Sequence, residues 1–499
     1  MGEAKDWLGE PTFNRSIKIQ AGDDRLTSDA GTLLLREADH RLGLTASLAE
    51  RLYDPRNPDK IRYTLLELLR ERLYALGQGY DAQDDLDPLA HDPAFKMAVW
   101  DRPGEQVLDQ RLASQPTQSR LIDTLTSFPD NRRALRDALA DWSGRHLRAV
   151  GGDHAARQVT VDIDSFSLET HGVQQGARYN GYFRLTGYHP LVASYTVAGD
   201  YDGFQQGHRL GQGFVHAILR AGNVHTASGA GRFFRETVRK SRQLGYVVEL
   251  RFDAGFASGE ILDMLRDEKT HFLGRLKSNP RLDALAEPHL TRPVGRPPKE
   301  GYEFTVELGL YQAESWRHAQ RVILVVRDQP DPKTGQLNLL PEYFFLVTDR
   351  SAEERSGLET LEHYRKRGTF EDRLGEFRAA IGPHLSSPTF AENETLLLLS
   401  LLATNLVNML RCEAENAGGA CWDLGRFQQR VLKAGGRIAK HSRRLLVTLA
   451  VAVTPIWQRL LQCFARWRLP PRFGTPRRPR PRDYMPLPRH AFLAEVLRE

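Results

Sequence analysis

The periodicity of apolar residues changes at Gly151-Gly152, and the change decides which architectures are open to the chain. Before it, LLLREADHRLGL, IRYTLLELLRERLYALGQGY and NRRALRDALADW repeat apolar residues at three- and four-residue spacing, as amphipathic helices do. After it, short β-branched runs bounded by turn residues alternate with polar helical stretches. VTVDIDSF (159–166), HPLVASYTV (189–197), FVHAILRAG (214–222), YVVELRFD (246–253) and HFLGRLKS (271–278) read as strands, with helices over 227–244 and 258–267. Three strands, then helix, strand, helix, strand, predicts an α/β fold with a mixed sheet.

Residues 280–341 break this order with Pro-rich linkers and the β segments YEFTVELGLY and QRVILVVRD, which predicts an inserted β subdomain. A long helix is expected from about residue 352, after the strand YFFLVTD, with Gly368 as its weak point. The resulting division is a helical N-terminal domain (1–150), an α/β core in two parts (151–280 and 343–410), a β-rich insertion (281–342) and a basic helical C-terminal region (411–499). Within the first domain, LDQRLASQPTQSRLIDTL reads as helix, break at Gln115-Pro116, helix: either a DNA-reading helix-turn-helix or ordinary hairpin punctuation.

Charge narrows the choice of partner. The 499 residues carry net +6, but residues 411–499 hold 18 basic and 6 acidic side chains while residues 1–410 hold 51 and 57. A basic block of +12 on a body of −6 points to a polyanion. The three cysteines, Cys412, Cys421 and Cys463, have neither zinc-site spacing nor even number, which suits a reducing cytosol. The first twenty residues contain no apolar core, and the apolar stretch 395–410 is short and interrupted by Ser400, Asn405 and Asn408. No membrane partner is expected, and a cytoplasmic location is.

Three carboxylate positions stand where side chains should meet a sheet edge. Asp162 and Asp164, two apart on a strand, share a face, and acids in a β-branched strand need cationic compensation, for which a divalent metal is a common source. Asp253 ends a strand, where the functional loops of α/β folds gather. On a single helix Tyr364, Arg367, Glu371 and Arg378 fall within about 60° of one another, a polar stripe suited to metal and phosphate.

The order Asp164, Asp253, Glu371, with the last in Tyr-x2-Arg-x3-Glu, resembles the DDE transposases of the IS4 superfamily. LTSDAGTLLLREADHRLGL (26–44), LASQPTQSRL (112–121), DIDSFSLETHG (162–172) and RFDAGFA (251–257) resemble its IS1380 family. The resemblance covers about residues 26–450 and implies an RNase H-like catalytic core interrupted by a β-rich insertion and flanked by helical domains. It implies further that Asp164, Asp253 and Glu371 hold two Mg²⁺ ions, replaceable by Mn²⁺, for cut-and-paste cleavage of insertion-sequence ends and strand transfer. Double-stranded DNA would be the partner, a homodimer the synaptic assembly and the bacterial cytoplasm, at the nucleoid, the location. Tyr364 and Arg367 would lie on phosphates near the cut, and Phe344 or Trp316 would stack on a flipped base; Asp162 and Asp164 compete for the first metal position, with Asp164 favoured because the small Ser165 follows it and Asp162 then supporting the metal from behind. The superfamily's Lys seven residues after the Glu is Arg378 here.

GRFQQRVLKAGGRIAKHSRRLL (425–446) supplies Arg430, Lys433, Arg437 and Lys440 as further phosphate contacts. PVGRPPK (293–299) resembles a minor-groove hook or an ordinary linker, and the tail LPPRFGTPRRPRPRDYMPLPR adds more charge. Two other readings stand beside the main one: a catalytically inactive DNA-binding derivative, and a haloacid-dehalogenase-type phosphatase with Asp162 as nucleophile.

Overall fold

The computed structural model of the protein describes residues 7–9, 12–13, 16, 18–20, 25–101, 104–151, 157–198, 209–292, 301–330, 341–441 and 444–468. Its framework is an eight-stranded mixed sheet. In chain order the strands are β1 (Gln158–Ser165), β2 (Leu191–Ala198), β3 (Arg209–Ile218), β4 (Val247–Phe252), β5 (His271–Leu276), β6 (Tyr302–Tyr311), β7 (Gln320–Asp328) and β8 (Glu342–Thr348). Across the sheet they run β6-β7-β8-β5-β4-β1-β2-β3, with β1, β4 and β5 mutually parallel and every other pairing antiparallel.

The helices that build the remaining layers are α1 (Thr32–Leu42), α2 (Leu65–Gly77), α3 (Gln115–Ser127), α4 (Pro129–Val150), α5 (Ala230–Ser241), α6 (Gly259–Asp267), α7 (Gly357–Arg365), α8 (Gly368–Ala380) and α9 (Phe390–Asn416). Parallel neighbours need crossovers, and α5 and α6 supply them. Both bury their apolar faces on one side of the sheet, where Phe233, Phe234, Leu262 and Leu265 meet Val159, Val161, Ile163, Leu250 and Phe272. On the other side lie α7 and α8, and with them the helical layer of α1, α2, α4 and α9.

Helix α9 is apolar and long enough to cross a membrane, yet its entire apolar window is buried inside the protein. Its Asn405 explains why a polar residue belongs there. The side chain accepts the Phe214 N–H at 2.7 Å and donates to the Phe214 carbonyl at 2.7 Å, so an amide stands where a ninth strand would pair with β3. A Cβ at Gly213 would lie 2.5 Å from the Asn405 Oδ1, so the glycine lets helix and strand approach.

Four expectations change. The β segments of 281–342 do not form a sheet of their own: β6 and β7 extend the main sheet through β8. QRVILVVRD is a continuous apolar run because β7 is covered on both faces, which marks an interior strand. The helix expected from 352 is two helices. Between them the backbone ladder tightens to Arg367 N–H to Tyr364 carbonyl and Phe370 N–H to Arg367 carbonyl, just ahead of Gly368. The C-terminal region is not wholly helical, since Gly436–His441 and Arg444–Leu449 pair as a hairpin that adds Leu26–Thr27 at its edge. Finally, LDQRLAS does not form the expected first helix: a 3₁₀ turn ends at Leu108, and Pro116 opens α3 in its first turn instead of closing a helix before it. The stretch 293–299 and the tail beyond residue 468 lie outside the described residues.

Candidate catalytic site at the ends of the parallel strands

Register decides which acids meet. In the parallel β1–β4 pair, Asp162 lies opposite Arg251 and Ile163 opposite Phe252. Where the pairing of the two strands ends, the next residues are Asp164, still within β1, and Asp253, just past β4. The β4–β5 register, Phe252 opposite Gly274, continues likewise to Arg275. Alternation then puts Asp162, Asp164, Arg251, Asp253 and Arg275 on the face beneath α7, opposite the apolar face that meets α5 and α6.

Asp164 and Asp253 are held alike. Each uses Oδ1 to accept the N–H of the next residue, Ser165 and Ala254, at 2.7 Å, which fixes the carboxylate at the strand end. Burial holds the Asp164 carboxyl above its usual range and the nearby Asp253 charge adds to this, while Arg367 and the Ser165 N–H act in the opposite direction. Arg367, from the turn between α7 and α8, forms an ion pair with Asp164 Oδ2. Tyr364 closes the group: burial pushes its phenol up to about 12, and it feels the charges of Arg367, Asp253, Arg275 and Asp164.

Glu371 lies one turn into α8. Arg367 and Arg378 are its neighbours on the same helical face, at four residues before and seven after. Both are anchored to the end of β1: Arg367 on Asp164, Arg378 through a 2.8 Å bond from Nη2 to the Ser167 carbonyl, with its guanidinium 5.0 Å from the Phe166 ring centre. Glu371 is therefore carried along the edge that holds Asp164, although its side chain is exposed. Among the described residues no three His, Cys, Asp or Glu side chains are gathered closely enough to hold a metal.

Asp162, expected to support the metal, has another partner. It is fully buried, and Arg251 on the next strand binds both its oxygens, Nε to Oδ1 at 2.7 Å and Nη2 to Oδ2 at 2.8 Å. The compensating cation is thus a guanidinium from β4, and no phosphate can reach Asp162, which removes the phosphatase reading. The same face of β4 carries Glu249, which His363 holds at 2.8 Å and Arg355 at 2.7 Å. Although burial raises Glu249, these partners bring its carboxyl down to about 2. A charge-paired strand face under α7 is a feature that sequence reasoning missed; the alternation Glu249, Arg251, Asp253 in VELRFD was its signal.

The aromatic candidates separate. Phe344 is half-buried on β8, with the Arg275 guanidinium 4.7 Å from its ring centre. Trp316 packs edge-on against Tyr311 in the core on the opposite face of the sheet, so it has no ring free for a base. Among the C-terminal cations, Lys433 is committed within the fold, 3.4 Å from Asp29 Oδ1 and 3.5 Å from the Tyr80 ring centre. Arg430 lies over Trp422, and Arg437 and Lys440 are exposed on the hairpin.

The site is thus an acid pair on adjacent parallel strands, with a third acid and Arg378 on α8 and Arg367 in the turn that precedes it. The family described as Transposase DDE domain group 1 matches residues 9–469, and the chain belongs to it. Among solved structures it is similar to a piggyBac transposase seen by cryo-EM in a synaptic complex with hairpin DNA, at 13% identity and TM-score 0.39, covering 80% of this chain and 78% of that one. No curated protein matches.

Proposed function

We propose that this transposase is an IS1380-type enzyme with an RNase H-like core that cuts insertion-sequence ends and joins them to target DNA, using Asp164, Asp253 and Glu371. The observation that carries the reading is the β1–β4 register, which runs to Ile163 opposite Phe252 and so leaves Asp164 and Asp253 as the next residue on each chain, near enough for the Asp253 charge to act on Asp164. Their all-carboxylate chemistry suits a hard divalent cation such as Mg²⁺. When bound, a pair of such ions supplies an activated oxygen nucleophile and neutralises the leaving oxygen.

The chain's own residues do the positioning. Asp253, fixed through one oxygen, keeps the other for ligation, while Asp164, fixed likewise, has its second oxygen on Arg367. Arg367 neutralises Asp164 until a better anion draws it away, and a DNA phosphate is such an anion. Arg378 ties α8 to the end of β1 and so keeps Glu371 at the same edge. Tyr364, still protonated at neutral pH, can donate to a phosphate oxygen. Joining two ends calls for two chains, and a homodimer is part of the proposal.

The test is cleavage of a duplex carrying the element's end in Mg²⁺ and in EDTA. Asp164→Asn, Asp253→Asn and Glu371→Gln should each abolish metal-dependent cutting while leaving duplex binding intact. Normal cutting by any one of them removes that residue from the site, and metal-independent cutting overturns the mechanism.

A further inference from the structure

A second basic site lies in the helical layer, on elements that contribute nothing to the carboxylate group. A cleft of about 630 Å³ opens between the segment 56–65, which leads into α2, and the start of α3. One wall is the face of α3 carrying Thr117, Arg120 and Thr124, residues at helical spacing. The other wall brings Arg56, Lys60, Arg62 and Tyr63, and Arg111 stands at the join.

Five cations line this cleft and no carboxylate does. Two are already matched from outside it: Asp54 binds Arg56 at 2.7 Å, and Asp87 lies 3.5 Å from Arg111. Lys60, Arg62 and Arg120 are exposed and make no ion pair among the described residues. Arg62 lies over the Tyr63 ring, 5.3 Å from its centre, which holds its guanidinium at the cleft without discharging it. Asp59 and Asp123 flank the site but do not line it. Three uncompensated cations facing one concavity, with the Thr117 and Thr124 hydroxyls between them, select a run of phosphates rather than an apolar ligand.

We infer that this cleft binds the sugar–phosphate backbone of duplex DNA and grips the element end at a place separate from the cut. The inference rests on the reading of the chain as a DNA-processing enzyme and adds the location of the grip. It restores a DNA role to α3 without a helix-turn-helix: the helix contributes one wall of a phosphate cleft, not a base-reading element.

The test is the salt dependence of duplex binding by the full chain carrying Lys60→Gln, Arg62→Gln and Arg120→Gln together, with unfolding temperature measured to show that the fold is kept. Loss of three phosphate contacts should reduce the slope of log affinity against log salt by about 2.7. Between 50 and 200 mM salt, wild type should therefore lose about 40-fold more affinity than the variant. Cutting at saturating DNA and low salt should persist in the variant, whereas Glu371→Gln should bind with the wild-type slope and not cut. An unchanged slope in the folded triple variant overturns the inference while leaving the catalytic reading intact. Inorganic pyrophosphate that displaces the duplex from wild type at matched phosphate concentration would also overturn it, by showing a small-anion site.

Discussion

Replacing Asp162 by Asn separates a structural ion pair from a metal ligand. Asp162 is fully buried and both its oxygens are taken by Arg251, which also donates to the His363 carbonyl on α7. Asparagine keeps the volume but removes the charge, so a 3% exposed guanidinium loses its counterion inside the sheet. Breaking such a pair from one side costs about 3–5 kcal/mol, a large part of the roughly 5–15 kcal/mol that holds a typical domain folded. Asp162→Leu combined with Arg251→Met should recover part of the loss, because the pair is then removed together, less about 1–3 kcal/mol for the orphaned His363 carbonyl and a further cost at the buried Arg373, which the Asp162 charge also stabilises. The assay is urea unfolding of wild type, both single variants and the double variant, with and without Mg²⁺. An Asp162→Asn protein that unfolds at the wild-type midpoint but no longer gains stability from Mg²⁺ would refute the reasoning and return Asp162 to the metal.

Further outcomes follow from the same kind of accounting. Burial raises the Glu71 carboxyl to about 8, against only a 2.8 Å bond from Gln118 and one from the Ala113 N–H. The folded chain thus keeps a proton that the unfolded chain releases near 4.5, so stability should fall as pH rises from about 4.5 to about 8. Glu71→Gln should flatten that fall, by on the order of 4 kcal/mol at pH 8, in thermal unfolding across pH. Asn405→Leu strands the Phe214 N–H and carbonyl and should cost about 1–3 kcal/mol for each group in urea unfolding. Trp316→Ala should cost about 3–5 kcal/mol through a core cavity. Phe344→Ala should cost only about 1–2 kcal/mol, for a half-buried ring, and weaken processing of element ends more than non-specific binding, in paired cleavage and binding assays.

Much of the sheet was legible because strand runs such as VTVDIDSF and YVVELRFD carry their own pattern, and their ends fell within two residues of the observed strands. FVHAILRAG fared less well: β3 begins five residues earlier, at Arg209, because its GQG stretch lacks the β-branched residues that announce a strand. The hairpin 436–449 was missed because its basic residues mask a short alternation that only pairing reveals. At the site, spacing brought out Asp164, Asp253 and Glu371 as candidates, but not what Asp162 binds. That depends on Arg251, 89 residues away in sequence and adjacent only once β1 and β4 pair. The stripe from Tyr364 to Arg378 was drawn on one continuous helix, and the tight turn at Arg367 divides it.

The Asp162–Arg251 pair also acts as a gauge. It sits one same-face step behind Asp164 and Asp253, on the same two strands. Sliding β4 by one residue along β1 would press Arg251 against apolar neighbours and set Phe252 beside Asp162, so the slipped pairing is excluded by charge as well as by shape. The distance between the two leading acids is thereby inherited from a contact that need never touch DNA. Changes in loops or covering helices can alter which ends are chosen, while the spacing of the acids stays tied to a step of the sheet.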